Sequence, residues 1–422
     1  MVDSIDTDAP PPHSLAGSRA GRFLAVFGPG IVVMLADSDV GSIITAGQSG
    51  VQWGYRLLLI QILLIPVLYI TQELTVRLGI FTGRGQGELI CAVFGRFWGW
   101  VSAAGLAVAT MGALLSEFSG VAAVGDLYGV SRFITLPLAA SCLLAVAVTG
   151  SFRRVELVAI FIGLFELAFF VVAWQAHPAP DEVVAQAFDI PLANKDYRYL
   201  MAANIGAVVA PWMIFYQQSA IASKRLRPEH LAAARTDTAV GAVVTQLVMA
   251  AVLVACAATI GKTGAHPSLD TVGAMSAALT PLLGPASGRL VFSLGVLGAG
   301  MVAAIVASLA LAWGVGEVTG YNRSLAMPPR QARWFYGVYA LCIVGGAALV
   351  AVSPDLVSLN IGVQVMNALL LPLVLGFLVA LSVRALPPAR RLKGAHLAAV
   401  IVVLTATTAL GVFGGFAGAG LL

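Results

Sequence analysis

Asp37-Ser38-Asp39-Val40-Gly41-Ser42 lies inside a stretch, residues 24–48, that is otherwise apolar enough to cross a bilayer. A charge at the centre of a spanning helix costs about 2.5–3.5 kcal/mol on insertion scales. Gly41 weakens such a helix further, because glycine loses more backbone freedom on ordering than any other residue. The cost is explained if the helix breaks here and its freed backbone lines a watery cavity that receives a cation. An EF-hand reading of the same acids fails, because the twelfth loop position needs a glutamate and holds Gln48.

The surrounding chain is of membrane type. Of its 422 residues, 59% are hydrophobic and 10% charged, with a mean hydropathy of +0.92; soluble domains carry about 25% charged residues. Apolar runs long enough to span recur along it. Eleven spans are predicted, near 24–48, 55–79, 98–124, 132–150, 155–175, 199–221, 236–261, 288–318, 334–352, 355–383 and 396–420. Residues 1–22, with Pro10-Pro11-Pro12 and several acids, read as a disordered cytoplasmic tail. No cleavable signal sequence is expected, since the first apolar run starts too far in and continues as a span.

The net charge of +4 does not point to nucleic acid, because the basic residues occupy short loops on one side. With the N-terminus inside, the outer segments hold six of the 24 Lys and Arg (Arg56, Arg132, Lys195, Arg198, Lys262 and Arg289) and the other 18 fall inside. That bias predicts a cytoplasmic N-terminus and an extracytoplasmic C-terminus in the cell (inner) membrane. The segment 176–198, with Asp181, Glu182, Asp189 and Asp196, is then external. It is either a plain solvated loop or one whose acids concentrate cations. Cys91, Cys142, Cys256 and Cys342 form no CxxC or Cys/His spacing and read as buried small apolar residues. There is no HExxH, Walker or nucleotide-binding glycine motif. The five histidines lie in tails, loops or span ends. An enzyme is not indicated, nor is a cofactor.

A second interruption occurs at Gly206-Ala207-Val208-Val209-Ala210-Pro211-Trp212-Met213. Pro211 lacks an amide and clashes with the preceding turn, so the helix breaks or kinks there. Breaks in spans one and six are the signature of a five-plus-five inverted repeat with its site at the midplane.

These residues resemble the NRAMP divalent-metal transporters. Gly28-Pro29-Gly30, Asp39, Gly41, Gly54 and Tyr55 match that family's pattern at the same spacings, and its Asp-Pro-Gly-Asn motif falls on Asp39-Val40-Gly41-Ser42. Its Gly-Ala-x-Val-Met-Pro-His motif falls on Gly206–Trp212. Arg77-Leu78-Gly79, Thr82-Gly83-Arg84, Glu117-Phe118, Gln364 and Pro372 also fit. The resemblance implies an all-α membrane protein of LeuT-type fold, with 11 transmembrane helices and helices 1 and 6 broken. It implies a transport core over 23–383, with repeats at about 23–175 and 199–383, then a loop and helix 11 over 384–422.

The departures from the pattern carry the functional reading. The family's methionine is Ala210, its metal-binding asparagine is Ser42, a tenth-span glutamine is Leu370, and Asp37 adds an acid. Losing a thioether removes the preference for soft ions. The remaining carboxylates, hydroxyl and carbonyls are compatible with Mg2+, which dehydrates reluctantly, and with Mn2+ alike, and it is the resemblance that favours Mg2+. This looks like the NRAMP-related magnesium transporters. Asp39 is expected to ligate metal and to cap the second half-helix. Asp37 binds a hydrated ion through water or caps toward the vestibule, and the freed Ala207 carbonyl is a further donor. Ser42 and Asn367 are weaker candidates; Asn367 alternatively bonds a neighbouring helix. Met213 reads as packing.

Trp212 and Leu114 stand where the resemblance places a titratable histidine and an acid. Glu117 remains as a gating or proton-linked group. Glu73, Glu156, Glu166 and Glu317 are near or within spans, where an acid is functional by default. Yet several lie close to arginine-rich inner ends, Glu73 suits an i,i+4 pair with Arg77, and all four are kept out of the primary site. The expected function is import of partly hydrated Mg2+ (and Mn2+) by alternating access without proton coupling, the metal being substrate and not cofactor. The alternative is a proton-coupled Mn2+/Fe2+ NRAMP-type importer with relaxed selectivity. A sodium-coupled amino-acid carrier is disfavoured, since Asp37 and Asp39 repel a carboxylate; a channel stays open. The partners are divalent ions and the bilayer, without nucleic acid, and a monomer is expected.

Overall fold

Asp39 closes one helix and opens another. The computed structural model describes residues 29–148, 152–259, 285–325, 327–353 and 356–418. Helix α1 (Pro29–Asp37) and helix α2 (Val40–Trp53) meet at an angle of 47°. Only Ser38 and Asp39 leave the helix, so the interruption is narrower than the expected Asp37–Ser42. The reason is a cap. Asp39 is extended (φ −68°, ψ 171°), and its Oδ1 accepts the Ser42 N–H at 2.6 Å, which winds Val40–Ser42 into the first turn.

The chain continues as α3 (Leu58–Thr82), α4 (Gln86–Phe94), α5 (Arg96–Leu127), α6 (Arg132–Val148), and α7 (Phe152–Gly163). A 3-10 turn (Leu164–Leu167) joins α7 to α8 (Ala168–Gln175). Then follow α9 (Pro180–Ala187), α10 (Lys195–Val208), α11 (Pro211–Ser223), α12 (Leu231–Thr259), α13 (Pro285–Thr319), α14 (Arg333–Val352), α15 (Leu356–Arg384) and α16 (Gly394–Gly418). Among the described residues there is no strand. Among the described residues, nine helical segments are long and apolar enough to cross a membrane, the bent α1–α2 pair makes a tenth, and the shorter α6 is also apolar. Each of the eleven predicted spans therefore holds helix, with ends displaced by a few residues. The short helices α4 and α9 and the 3-10 turn in the fifth span have no counterpart in the sequence pattern. Residues 1–22, expected as a tail, and Gly28 lie outside the described residues.

In the sixth span, Val209 and Ala210 are non-helical and Pro211 is the first residue of α11. There its missing amide is one that no helix would have used, and its fixed φ suits a helix start. The proline opens a helix where a kink within one was the other expectation.

The core is built on α5 against α13, α12 against α2 and α3, and α10 against α15 and α16. Phe133, Leu138, Leu341 and Val352 are exposed on the outside, an apolar rim suited to hydrocarbon. Cys142 belongs to that exposed surface and Cys91 is half-buried on α4; only Cys256 and Cys342 are buried as expected.

Candidate metal site at the two helix breaks

Asp39 is 3% exposed, deep between the halves of the first span. Beside it lie Glu117 of α5 and Gln364 of α15. Glu117 Oε2 accepts the Val40 N–H at 3.2 Å, one residue beyond the break. Gln364 Oε1 accepts from Asn367 Nδ2 at 3.0 Å. Two glycines show how tightly this residue is held. A methyl on Gly41 would collide with Gln364 Nε2, and one on Gly206 would strike the Gln364 carbonyl oxygen and come within 2.7 Å of the Ala368 nitrogen. The side chain of Gln364 therefore rests on the first break while its backbone presses on the helix leading to the second. Helix α15 is the strut that registers the two interruptions.

At the second break, the helical donor for the Ala207 carbonyl would be the amide of residue 211. Proline has none, so that carbonyl is left without its helical partner. Ala210 is extended (φ −87°, ψ 141°), and its carbonyl accepts the Met213 N–H at 3.2 Å. Trp212, Met213 and Leu114 are buried in the apolar core, and the Trp212 Nε1 has no partner.

Ser42 is buried with an unpartnered hydroxyl. Asn367, a weaker site candidate or else a donor to a neighbouring helix, donates within its own helix, three residues back. Asp37, expected as a ligand or a vestibule cap, points toward α12. Its Oδ2 accepts from Gln246 Nε2 at 3.4 Å, and Gln246 Oε1 in turn accepts from Gln61 Nε2 at 2.6 Å. The hydroxyls of Ser38 and Thr245 meet at 2.5 Å.

Glu166 lies deeper in the bundle than an acid near an arginine-rich inner end would. It sits on the 3-10 turn, 1% exposed, facing Ser38 and influenced by Asp39 and Asp37. Neither carboxylate oxygen has a hydrogen-bond partner. One signal in the sequence does point this way: Arg154 is 12 residues earlier, about 18 Å along a helix, too far to pair. Glu73 and Glu317 do act as ties. Glu73 binds Arg77 and Arg235, at 2.8 and 2.5 Å. Glu317 accepts from the Gly87 amide at 2.8 Å and from Ser219 Oγ at 2.5 Å. The Glu156 side chain lies outside the described residues.

Among the described residues, no three His, Cys, Asp or Glu side chains converge to hold one ion.

Comparisons with known proteins bear on the fold and the family. The manganese transporter of Eremococcus coleocola superposes with a TM-score of 0.75 at 18% identity, over 99% of this chain and 92% of its own. A Na+-coupled sialic acid symporter gives 0.60 at 11% identity, over 95% and 90%. At these identities the likeness speaks for the fold, which is LeuT-type. In sequence, the divalent metal cation transporter MntH of Brucella suis is 28% identical over 308 residues, 70% of this chain and 67% of its own. The profile described as natural resistance-associated macrophage protein-like (Nramp) matches residues 30–416, so the chain, broken in the first and sixth spans, belongs to the Nramp family.

Proposed function

We propose that this protein is a secondary transporter that imports Mg2+ and Mn2+, each keeping part of its hydration shell, by alternating access and without moving protons. The observation that carries the reading is the donor set. Asp39, Ser42 and the freed Ala207 carbonyl offer oxygen alone, and a methyl group stands at Ala210 where the family resemblance places a thioether. Hard oxygen donors suit small hard cations, and a site with few of them suits an ion that gives up water reluctantly. The names of the relatives, a divalent metal cation transporter and a manganese transporter, support the class of cargo.

The drive is electrical. Inward movement gains about 2.3 kcal/mol per elementary charge per 100 mV, and the cargo carries two charges. Leu114 and Trp212 carry no titratable group at positions where the resemblance expects a carboxylate and an imidazole. The proposed arrangement is a monomer in the inner membrane, N-terminus cytoplasmic and C-terminus external, with one core over 23–383 and an added eleventh helix.

The test is uptake into proteoliposomes, with Mg2+, Mn2+, Ca2+ and Cd2+ in competition and a pH dye in the lumen. Expected are Mg2+ and Mn2+ entry driven by an imposed potential, weak competition by Cd2+, and no acidification. Ala210→Met, by restoring sulfur, is expected to improve Cd2+ competition about tenfold. An unchanged Cd2+ ranking in that variant counts against the softness argument. A second reading, a proton-coupled Mn2+/Fe2+ importer, is favoured by one observation: the Glu117 carboxyl lies beside Asp39, where it could take a proton as metal arrives. Stoichiometric acidification of the lumen would select it.

A further inference from the structure

Four buried carboxylates gather at the first break: Asp37, Asp39, Glu117 and Glu166. None is in an ion pair among the described residues. Leaving a buried charge uncompensated costs several kcal/mol. One divalent ion at Asp39 offsets two of the four charges. The oxygens without a partner are Asp37 Oδ1, Glu117 Oε1 and both oxygens of Glu166. A proton on Glu166 satisfies only one of its two oxygens and adds a donor that itself needs an acceptor. The nearby Ser38 hydroxyl, which also meets Thr245 at 2.5 Å, has a single hydrogen and can serve at most one Glu166 oxygen. A cation with its water satisfies both oxygens together.

We propose that Glu166 and Asp37, with the hydroxyls of Ser38 and Thr245, form a second cation subsite beside Asp39 that takes a divalent ion retaining most of its water. Gln246, itself held by Gln61, orients Asp37 for this role. The residues come from the break of the first span, the 3-10 turn of the fifth and the middle of α12, so the subsite exists only in the folded bundle. Two divalent ions balance the charge of four carboxylates. Among the described residues no three of these acids converge on one point, so each ion would meet one or two carboxylates and complete its shell with water. The inference rests on the reading of the protein as a divalent-ion importer.

The test is Mn2+ binding to the full chain in lipid nanodiscs, counted by equilibrium dialysis and by electron paramagnetic resonance. Expected are two Mn2+ per wild-type chain, with the spectrum broadened by coupling between them. Glu166→Gln should bind one, with a narrow spectrum, and Asp37→Asn should do the same, which covers the case in which either variant folds poorly. Asp39→Ala should retain one ion at the Glu166 subsite. One Mn2+ per wild-type chain, unchanged by Glu166→Gln, overturns the subsite and leaves the importer standing. No Mn2+ bound to the wild type overturns both.

Discussion

Asp39 has two roles that a substitution can separate. As a cap it satisfies the Ser42 amide at 2.6 Å, and as a buried anion it is the proposed metal ligand. Asparagine caps a helix about as well as aspartate but carries no charge, whereas alanine loses the cap at a cost of about 0.5–2 kcal/mol. Asp39→Asn is therefore expected to melt near the wild type yet lose metal uptake by more than about tenfold. Asp39→Ala should lose both. Uptake by Asp39→Asn at the wild-type rate would sink the ligand role. At this scale much is legible in the sequence. A carboxylate and a proline inside apolar runs announce the two breaks, and the proline identifies which carbonyl is freed. Gln364 is legible only through the family resemblance. Its bridging role depends on Gly41 and Gly206 meeting one residue far along the chain, which no local pattern encodes. Glu166 is hidden for the same reason, since its neighbours Ser38 and Asp37 lie on another span.

Helix α15 controls the register of the two interruptions through backbone contact, and that contact predicts a sharp contrast between two glycine positions. A methyl on Gly206 meets the Gln364 carbonyl and the Ala368 amide, neither of which can swing aside as a side chain does. Overpacking of this kind costs about 1–3 kcal/mol. Gly376, on α15 itself, has open space within 4 Å of where a methyl would stand. There alanine should be neutral or stabilising by up to about 1 kcal/mol, through better helix propensity. Heat unfolding in detergent should place Gly206→Ala below the wild type and Gly376→Ala at or above it, and equal melting of the two would refute direct α10–α15 contact. The spans themselves are readable because hydrophobicity over about 20 residues is a strong signal. Helices α4 and α9 are not, being 9 and 8 residues long in segments that read as loops. The acidic segment 176–198 has two readings in the sequence, a solvated loop or a cation collector. Part of it is structural, since Asp189 pairs with Arg56 at 2.7 Å and Gln186 Oε1 accepts the Tyr55 N–H at 3.0 Å.

Across the whole molecule, two ties lie at the proposed ends of the transport path, and they differ in strength. At the proposed outer end, α9 and its following loop clamp the end of α2 through Arg56–Asp189, an ion pair whose side chains are 34% and 57% exposed. Exposed pairs are worth about 0.2–1 kcal/mol. At the proposed inner end, the first helical amides of α1 are tied to α12, with the Gly30 N–H donating to Asp237 Oδ2 at 2.8 Å, and Asp237 is 1% exposed. A buried hydrogen bond to a charged group is worth about 1.5–3 kcal/mol. Alternating access requires each tie to open in turn, so weakening the stronger one should shift the resting population further. Removing it should favour the inward-open state by about 10- to 150-fold, against at most about fivefold toward the outside for the exposed pair. The reporter is a cysteine in place of Ala234, which lines a narrow cleft with Pro29, Gly30 and Asp237, in a chain whose four native cysteines are replaced. In inside-out vesicles, a membrane-impermeant thiol reagent should label Ala234→Cys at least about tenfold faster when combined with Asp237→Ala. Combined with Asp189→Ala, labelling should stay the same or slow. Equal labelling in both backgrounds would mean that the Gly30–Asp237 tie does not hold the inner end shut, and that α1 is retained by its apolar packing alone.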